Sequence, residues 1–242
     1  YVMDNSFKRG NLRPYMQIFD DLKSFESCSI MLDRENASYA LVKCLDSSVR
    51  IIDSENPIEL MKAVKNDTEI ACTRNAHIRD GAAMVKFLYW LKNNAGSKYI
   101  TEISATDYLE ECRRQQGAYD LSFDTIAGYE EHGAIIHYQA TKQTDVQIKP
   151  EGFLLVDSGG QYRDGTTDIT RTIALGPVAG DRRYAYTAVL KSNIRLATAK
   201  FGYETTGAEL DVIARKPLKD RGFDFNHGTG HGVGHMLSVH EG

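Results

Sequence analysis

Apolar positions change their spacing several times along the chain. From residue 1 to about 56 they come in short runs, Ser29–Leu32, Tyr39–Cys44 and Val49–Asp53, divided by Asp, Asn and Ser clusters, a pattern of strands and turns. Pro57–Val64 suits a helix with proline in its first turn. Asn66 then caps a long helix, where Ile70, Ala76, Met84, Phe87, Leu88 and Leu91 keep helical spacing to about Asn93. A second helix is expected to open at Ser104 and stop at Gly117, its Glu110-Glu111 and Arg113-Arg114 pairs forming a solvated face.

After Gly117 the period shortens. Leu121–Ala127, Gly133–Tyr138, Gly152–Gly159 and Thr167–Leu175 are rich in β-branched and aromatic residues and cut by Gly and Pro, so each reads as a strand. Helical spacing returns over Asp181–Phe201, with Tyr184, Val189, Leu190, Ile194 and Leu196 as candidate core, and over a shorter helix capped near Thr206 that leads to Pro217. Helices before and after a block of strands predict an α+β fold with an antiparallel or mixed sheet. No internal repeat or low-complexity tract interrupts it.

Composition narrows the classes. At 242 residues, 42% hydrophobic and 26% charged, the chain reads as an ordinary soluble globular protein. A net charge of −4 with no long basic run gives little drive for nucleic-acid binding. No apolar stretch approaches the roughly 20 residues of a membrane span. Cys28, Cys44, Cys72 and Cys112 form no CxxC pair and read as reduced thiols of a cytoplasmic protein.

Candidate chemistry gathers late in the chain. His227–Gly242 holds four of the seven histidines, interleaved with glycines. Such a run resists helix, and it lets backbone approach a ligand beside a pH-poised base or metal donor. It contains no phosphate loop, HExxH or GxGxxG. Asp157 ends an apolar run, and Asp168 lies eleven residues later, across the Gly159–Gly165 turn. If the flanking strands pair as a hairpin, both carboxylates can face one side. Two carboxylates at close range call for a proton or a cation, and His231 could add a nitrogen. The alternative is that both are ordinary turn residues. His137, at the end of a predicted strand, is either a site residue or a structural histidine.

Taken in order, Gly133–Tyr138, Leu155–Tyr162, Thr166–Thr172 and His227–Gly234 resemble the Xaa-Pro aminopeptidases (aminopeptidase P), pita-bread-fold metallopeptidases. Ala63–Asn66, Ala76–Asp80, Thr101–Ser104 and Arg113–Gln116 continue the resemblance. It covers most of 57–242, the expected catalytic domain. Residues 1–56 resemble only the end of the non-catalytic α/β domain that precedes it.

The resemblance implies two divalent metal ions, most often Mn2+, held by two Asp, one His and two Glu. Asp157, Asp168 and His231 match the first three, and His137, His227 and His240 match histidines lining the substrate pocket. The two Glu ligands are expected beyond Gly242, which marks the chain as a fragment whose own metal binding and activity are weak or absent. The implied reaction releases the N-terminal residue from peptides with proline second, by a homodimeric enzyme. A dipeptidase for Xaa-Pro (prolidase) is the rival within the fold, and a non-catalytic pita-bread binding module the rival outside it.

Overall fold

A parallel pair of short strands opens the described part of the chain. The computed structural model describes residues 13–236 and 239–241. These divide into two compact units, one ending at Val64 and one beginning at Lys65.

The first unit runs α1 (Ile18–Lys23), β1 (Ser29–Leu32), α2 (Tyr39–Lys43), β2 (Arg50–Asp53) and α3 (Pro57–Ala63). β1 and β2 pair in parallel from Ser29↔Arg50 to Leu32↔Asp53. Parallel neighbours need a crossover, and α2 supplies part of it. Tyr39–Cys44 is therefore helix and not the expected strand. Its half-buried positions Leu41, Val42, Cys44 and Leu45 have helical spacing, which a run this short does not distinguish from a strand. α3 starts as expected, with the Asn56 side chain accepting from the Ile58 N–H at 3.1 Å.

In the second unit, α4 (Asp67–Asn94) is opened by a capping box between Asn66 and Glu69. Its buried residues Ala76, Asp80, Ala83, Met84, Phe87 and Leu91 lie along one stripe. α5 (Glu102–Arg114) starts from a Thr101–Ser104 box, so Ser104 is inside the first turn and the cap lies three residues earlier than expected. Both helices cover one face of an antiparallel sheet made of β3 (Asp120–Tyr129), β4 (Phe153–Tyr162), β5 (Gly165–Thr166) and β6 (Ile169–Ala174). β4 is central, pairing with β3 on one side and with β5 and β6 on the other. The core lies between sheet and helices, where Met84, Phe87, Leu91, Ile100 and Leu109 meet Ala127, Leu154, Val156 and Ile173.

Arg113 is not on a solvated face. It is fully buried and holds the equally buried Asp80 through two hydrogen bonds, of 2.8 and 3.0 Å, while Tyr162 donates to the same carboxylate at 3.0 Å. A buried charge is tolerated when paired and hydrogen-bonded in this way.

Two further helices, α6 (Gly180–Ala197) and α7 (Gly207–Lys219), pack against each other. Tyr184, Val189, Leu190 and Ile194, expected as core, are 48–54% exposed. Ala188 and Ser192 are the buried positions of α6, because small residues let the helices approach. No helix among the described residues is long and apolar enough to cross a membrane.

Candidate metal centre

β4 alternates, as a strand with one covered face does. Leu154 and Val156 point into the core and Asp157 to the other face. Asp157 lies opposite Thr170 of β6. Asp168 precedes Thr170 by two residues and so shares its face, diagonal to Asp157. The Thr170 hydroxyl donates to Asp157 Oδ1 at 2.7 Å and orients that carboxylate. The corner carrying Asp168 is fixed from beneath. Gly160 N–H donates to Thr167 Oγ1 at 2.9 Å, and the Ser122 hydroxyl donates to the Thr167 carbonyl at 2.8 Å. Gly159 makes this closeness possible, since a Cβ there would fall on the Thr167 carbonyl oxygen and the Ser122 hydroxyl.

Burial, and after it the negative charge of Asp157, hold the Asp168 carboxyl above its ordinary pKa, with His231 and His240 pulling it back down. His231 Nε2 lies 3.4 Å from Asp168 Oδ2, and the His231 and His240 rings meet edge-on with centroids 4.3 Å apart. They are brought together by a small antiparallel ladder, β7 (Gly232–Val233) with β8 (His240–Glu241). Glu241 anchors β8 by accepting from Lys65 Nζ at 2.7 Å.

Asp157, Asp168, His231 and His240 thus gather in one place. His137 and His227 lie on other segments, with surroundings of their own. His227 is exposed, has its ring tilted against Phe225 with centroids 4.6 Å apart, and has its carbonyl held by Arg215 Nη2 at 2.9 Å. His137 sits in an exposed turn with φ +57°, because Gly133–Tyr138 is not the expected strand. That segment wraps around the buried Glu102, which accepts from His132 Nδ1 at 2.9 Å and from the Tyr138 hydroxyl at 3.2 Å. A buried carboxylate needs such donors, and meeting them bends the chain.

Carboxylate oxygens and an imidazole nitrogen are donors that suit a divalent cation. The donors meet in pairs, Asp157 with Asp168 and Asp168 with His231. Among the described residues no three His, Cys, Asp or Glu side chains are close enough to enclose an ion. The donor types fit a divalent metal in chemistry.

Thr170 lies in the Thr166–Thr172 motif, but apolar spacing gives it no role of its own. The parity that places Thr170 with Asp157 is readable only once the β4–β6 register is known.

Residues 71–242 match the model of metallopeptidase family M24. The chain belongs to this family. Residues 3–69 match the creatinase/prolidase N-terminal domain. As a member of M24, the second unit carries the pita-bread fold. Over 240 residues the chain is 44% identical to a probable Xaa-Pro aminopeptidase P of Verticillium alfalfae, covering 95% of this chain and 39% of that protein. The X-prolyl aminopeptidase of Caenorhabditis elegans, a cytosolic enzyme with a di-nuclear active site, superposes with a TM-score of 0.86 at 37% identity. That match covers 96% of this chain and 39% of the other. The prolidase of Pyrococcus furiosus gives 0.75 at 28% identity, covering 95% and 65%. The chain therefore spans about two fifths of the length of the V. alfalfae and C. elegans proteins.

Proposed function

We propose that the whole protein carrying this chain is a metal-dependent aminopeptidase that hydrolyses the bond between an N-terminal residue and a following proline. The observation that carries this is the Asp157–Asp168 pair, oriented by Thr170 and faced by His231, within an M24 fold. In this reading residues 57–242 belong to the catalytic domain and hold the chemistry, and residues 1–56 are the end of a non-catalytic domain. Asp157, Asp168 and His231 are metal ligands, and the native ion is Mn2+. Two divalent ions, when bound, supply Lewis-acid polarisation and an acidified water. The protein's own part is to hold the carboxylates close despite their repulsion. His240, edge-on to His231, is placed to hydrogen-bond the oxygen on which charge develops. His137 and His227 line the same substrate pocket. The family likeness supports a homodimer, and the cytosolic C. elegans relative supports a cytoplasmic location.

Likeness to the P. furiosus prolidase keeps a dipeptidase as the second reading. Assays of the whole protein with Mn2+ on Xaa-Pro-Xaa tripeptides and Xaa-Pro dipeptides separate the two. Tripeptide cleavage is the expected result, and cleavage confined to dipeptides sides with the prolidase. If neither is cleaved and titration with saturating Mn2+ shows no uptake, the protein is a binding module. The 242-residue chain alone, with its donors meeting only in pairs, is expected to bind Mn2+ weakly.

A further inference from the structure

The loop between His231 and His240 is held at its middle by residues that the catalytic reading does not use. The Met236 N–H donates to Thr166 Oγ1 at 2.9 Å, and its carbonyl accepts from Gln161 Nε2 at 3.3 Å. The Thr166 hydroxyl donates in turn to Gln161 Oε1 at 2.6 Å, so one side chain serves the loop and orients the other. Tyr119 adds a third hold, its hydroxyl donating to Met236 Sδ at 2.8 Å. Met236 has φ +67°, a left-handed conformation that an L residue keeps only when its surroundings impose it.

The post to which Met236 is tied is rigid. Thr166 is 2% exposed and pairs with Gln161 in the β4–β5 ladder. Thr167, next to it, is fully buried and locked to Gly160 through its backbone N–H and its hydroxyl. Asp168 follows at once. One stiff corner therefore carries Asp168 on its far side and holds the histidine loop on its near side. Met236 stands five residues after His231 and four before His240, so tying it to the corner restrains the chain that leads to each histidine.

We propose that Thr166, with Gln161 and Tyr119, is a positioning residue that sets His231 and His240 against Asp168. The proposal rests on the peptidase reading for its kinetic consequence, and its structural half stands apart from it. The Thr166 hydroxyl is the part that matters, because it is both acceptor for Met236 and donor to Gln161.

The test compares Thr166→Val, Thr166→Ser and Tyr119→Phe in the whole protein by hydrogen exchange read by mass spectrometry, and by peptidase kinetics. In Thr166→Val, exchange of a peptide spanning 229–241 is expected to quicken about fivefold, the loss of one net hydrogen bond, with β4 unchanged. A misplacement of about 1 Å lowers kcat by up to ~100-fold, with KM near its wild-type value. Thr166→Ser restores both. Tyr119→Phe, at an exposed position, gives a smaller change in the same direction and keeps the test open if Thr166→Val does not fold. Unchanged exchange in both Thr166→Val and Tyr119→Phe overturns the staple. Faster exchange with unaltered kcat overturns its positioning role, as does a serine variant as impaired as the valine. A wild-type protein that cleaves no Xaa-Pro substrate defeats the peptidase reading, while the exchange result still decides the staple.

Discussion

At the scale of single residues, the centre depends on side chains that are absent as much as on those present. Gly159 has ordinary backbone angles, and its requirement is space, since the Thr167 carbonyl and the Ser122 hydroxyl occupy the place of a Cβ. The Thr167 carbonyl is backbone of the corner that carries Asp168, so it cannot yield without moving that corner, and the Ser122 hydroxyl is hydrogen-bonded to it from β3. Gly159→Ala is expected to cost about 1–3 kcal/mol, the range for overpacking a filled core. Gly180→Ala at the start of α6, where nothing lies within 4 Å, is the control and is expected to be neutral or stabilising by up to ~1 kcal/mol. Urea midpoints of the two variants check this, and equal stability of both would remove Gly159 from the argument. That Asp157 and Asp168 could share a face was legible only on condition that the flanking strands pair, which the β4–β6 register supplies, and the nearness of His231 rested on the family resemblance. The staple at Met236 was not legible. It joins positions 70 residues apart through a hydroxyl and a backbone N–H, and neither group leaves a mark in apolar spacing.

Among the elements, helix starts and strand blocks were readable where local chemistry decides them. The Asn66–Glu69 box and the Thr206 cap stand where the sequence placed them. Tyr39–Cys44 and Gly133–Tyr138 were misread because their conformations are set by distant partners, a parallel crossover in one case and the Glu102 carboxylate in the other. Arg113 was missed for a different reason. Charge alone suggested solvent, although Ala105, Leu109, Cys112 and Arg113 share the buried stripe of α5, a spacing that could have revealed it. Arg114 beside it keeps a side chain 62% exposed. The Arg113–Asp80–Tyr162 cluster joins α4, α5 and β4. Arg113→Leu strips the buried Asp80 of its cation and leaves it only the Tyr162 hydroxyl, and is expected to cost about 3–5 kcal/mol. Replacing both Arg113 and Asp80 by leucine removes the orphaned charge and is expected to recover most of that loss. Denaturant unfolding of the two single variants and the double variant gives the coupling directly. Additive losses would show that the pair acts only as bulk.

At the scale of the whole molecule, the two units differ sharply in how much they bury. Val49, 9% exposed, is the one buried hydrophobic residue among the described positions up to Val64, whereas Phe87, Leu91, Leu109 and Leu154 lead a continuous core in the second unit. A strand pair of four residues each, with so little apolar cover, is marginal by itself. Local stability follows buried apolar contact, so the first unit is expected to unfold at lower denaturant than the second. The chain carries a natural reporter for this. Its single tryptophan, Trp90, lies in α4 with its ring stacked on Tyr108 at 3.9 Å, so its fluorescence follows the second unit alone, while far-UV circular dichroism follows helices and strands of both. In a urea titration the dichroism signal is expected to begin falling before the fluorescence changes, and to finish together with it. Non-coincident probes are the mark of more than two states. Coincident curves would mean that the units unfold as one, and that the first draws its stability from the second and not from its own core.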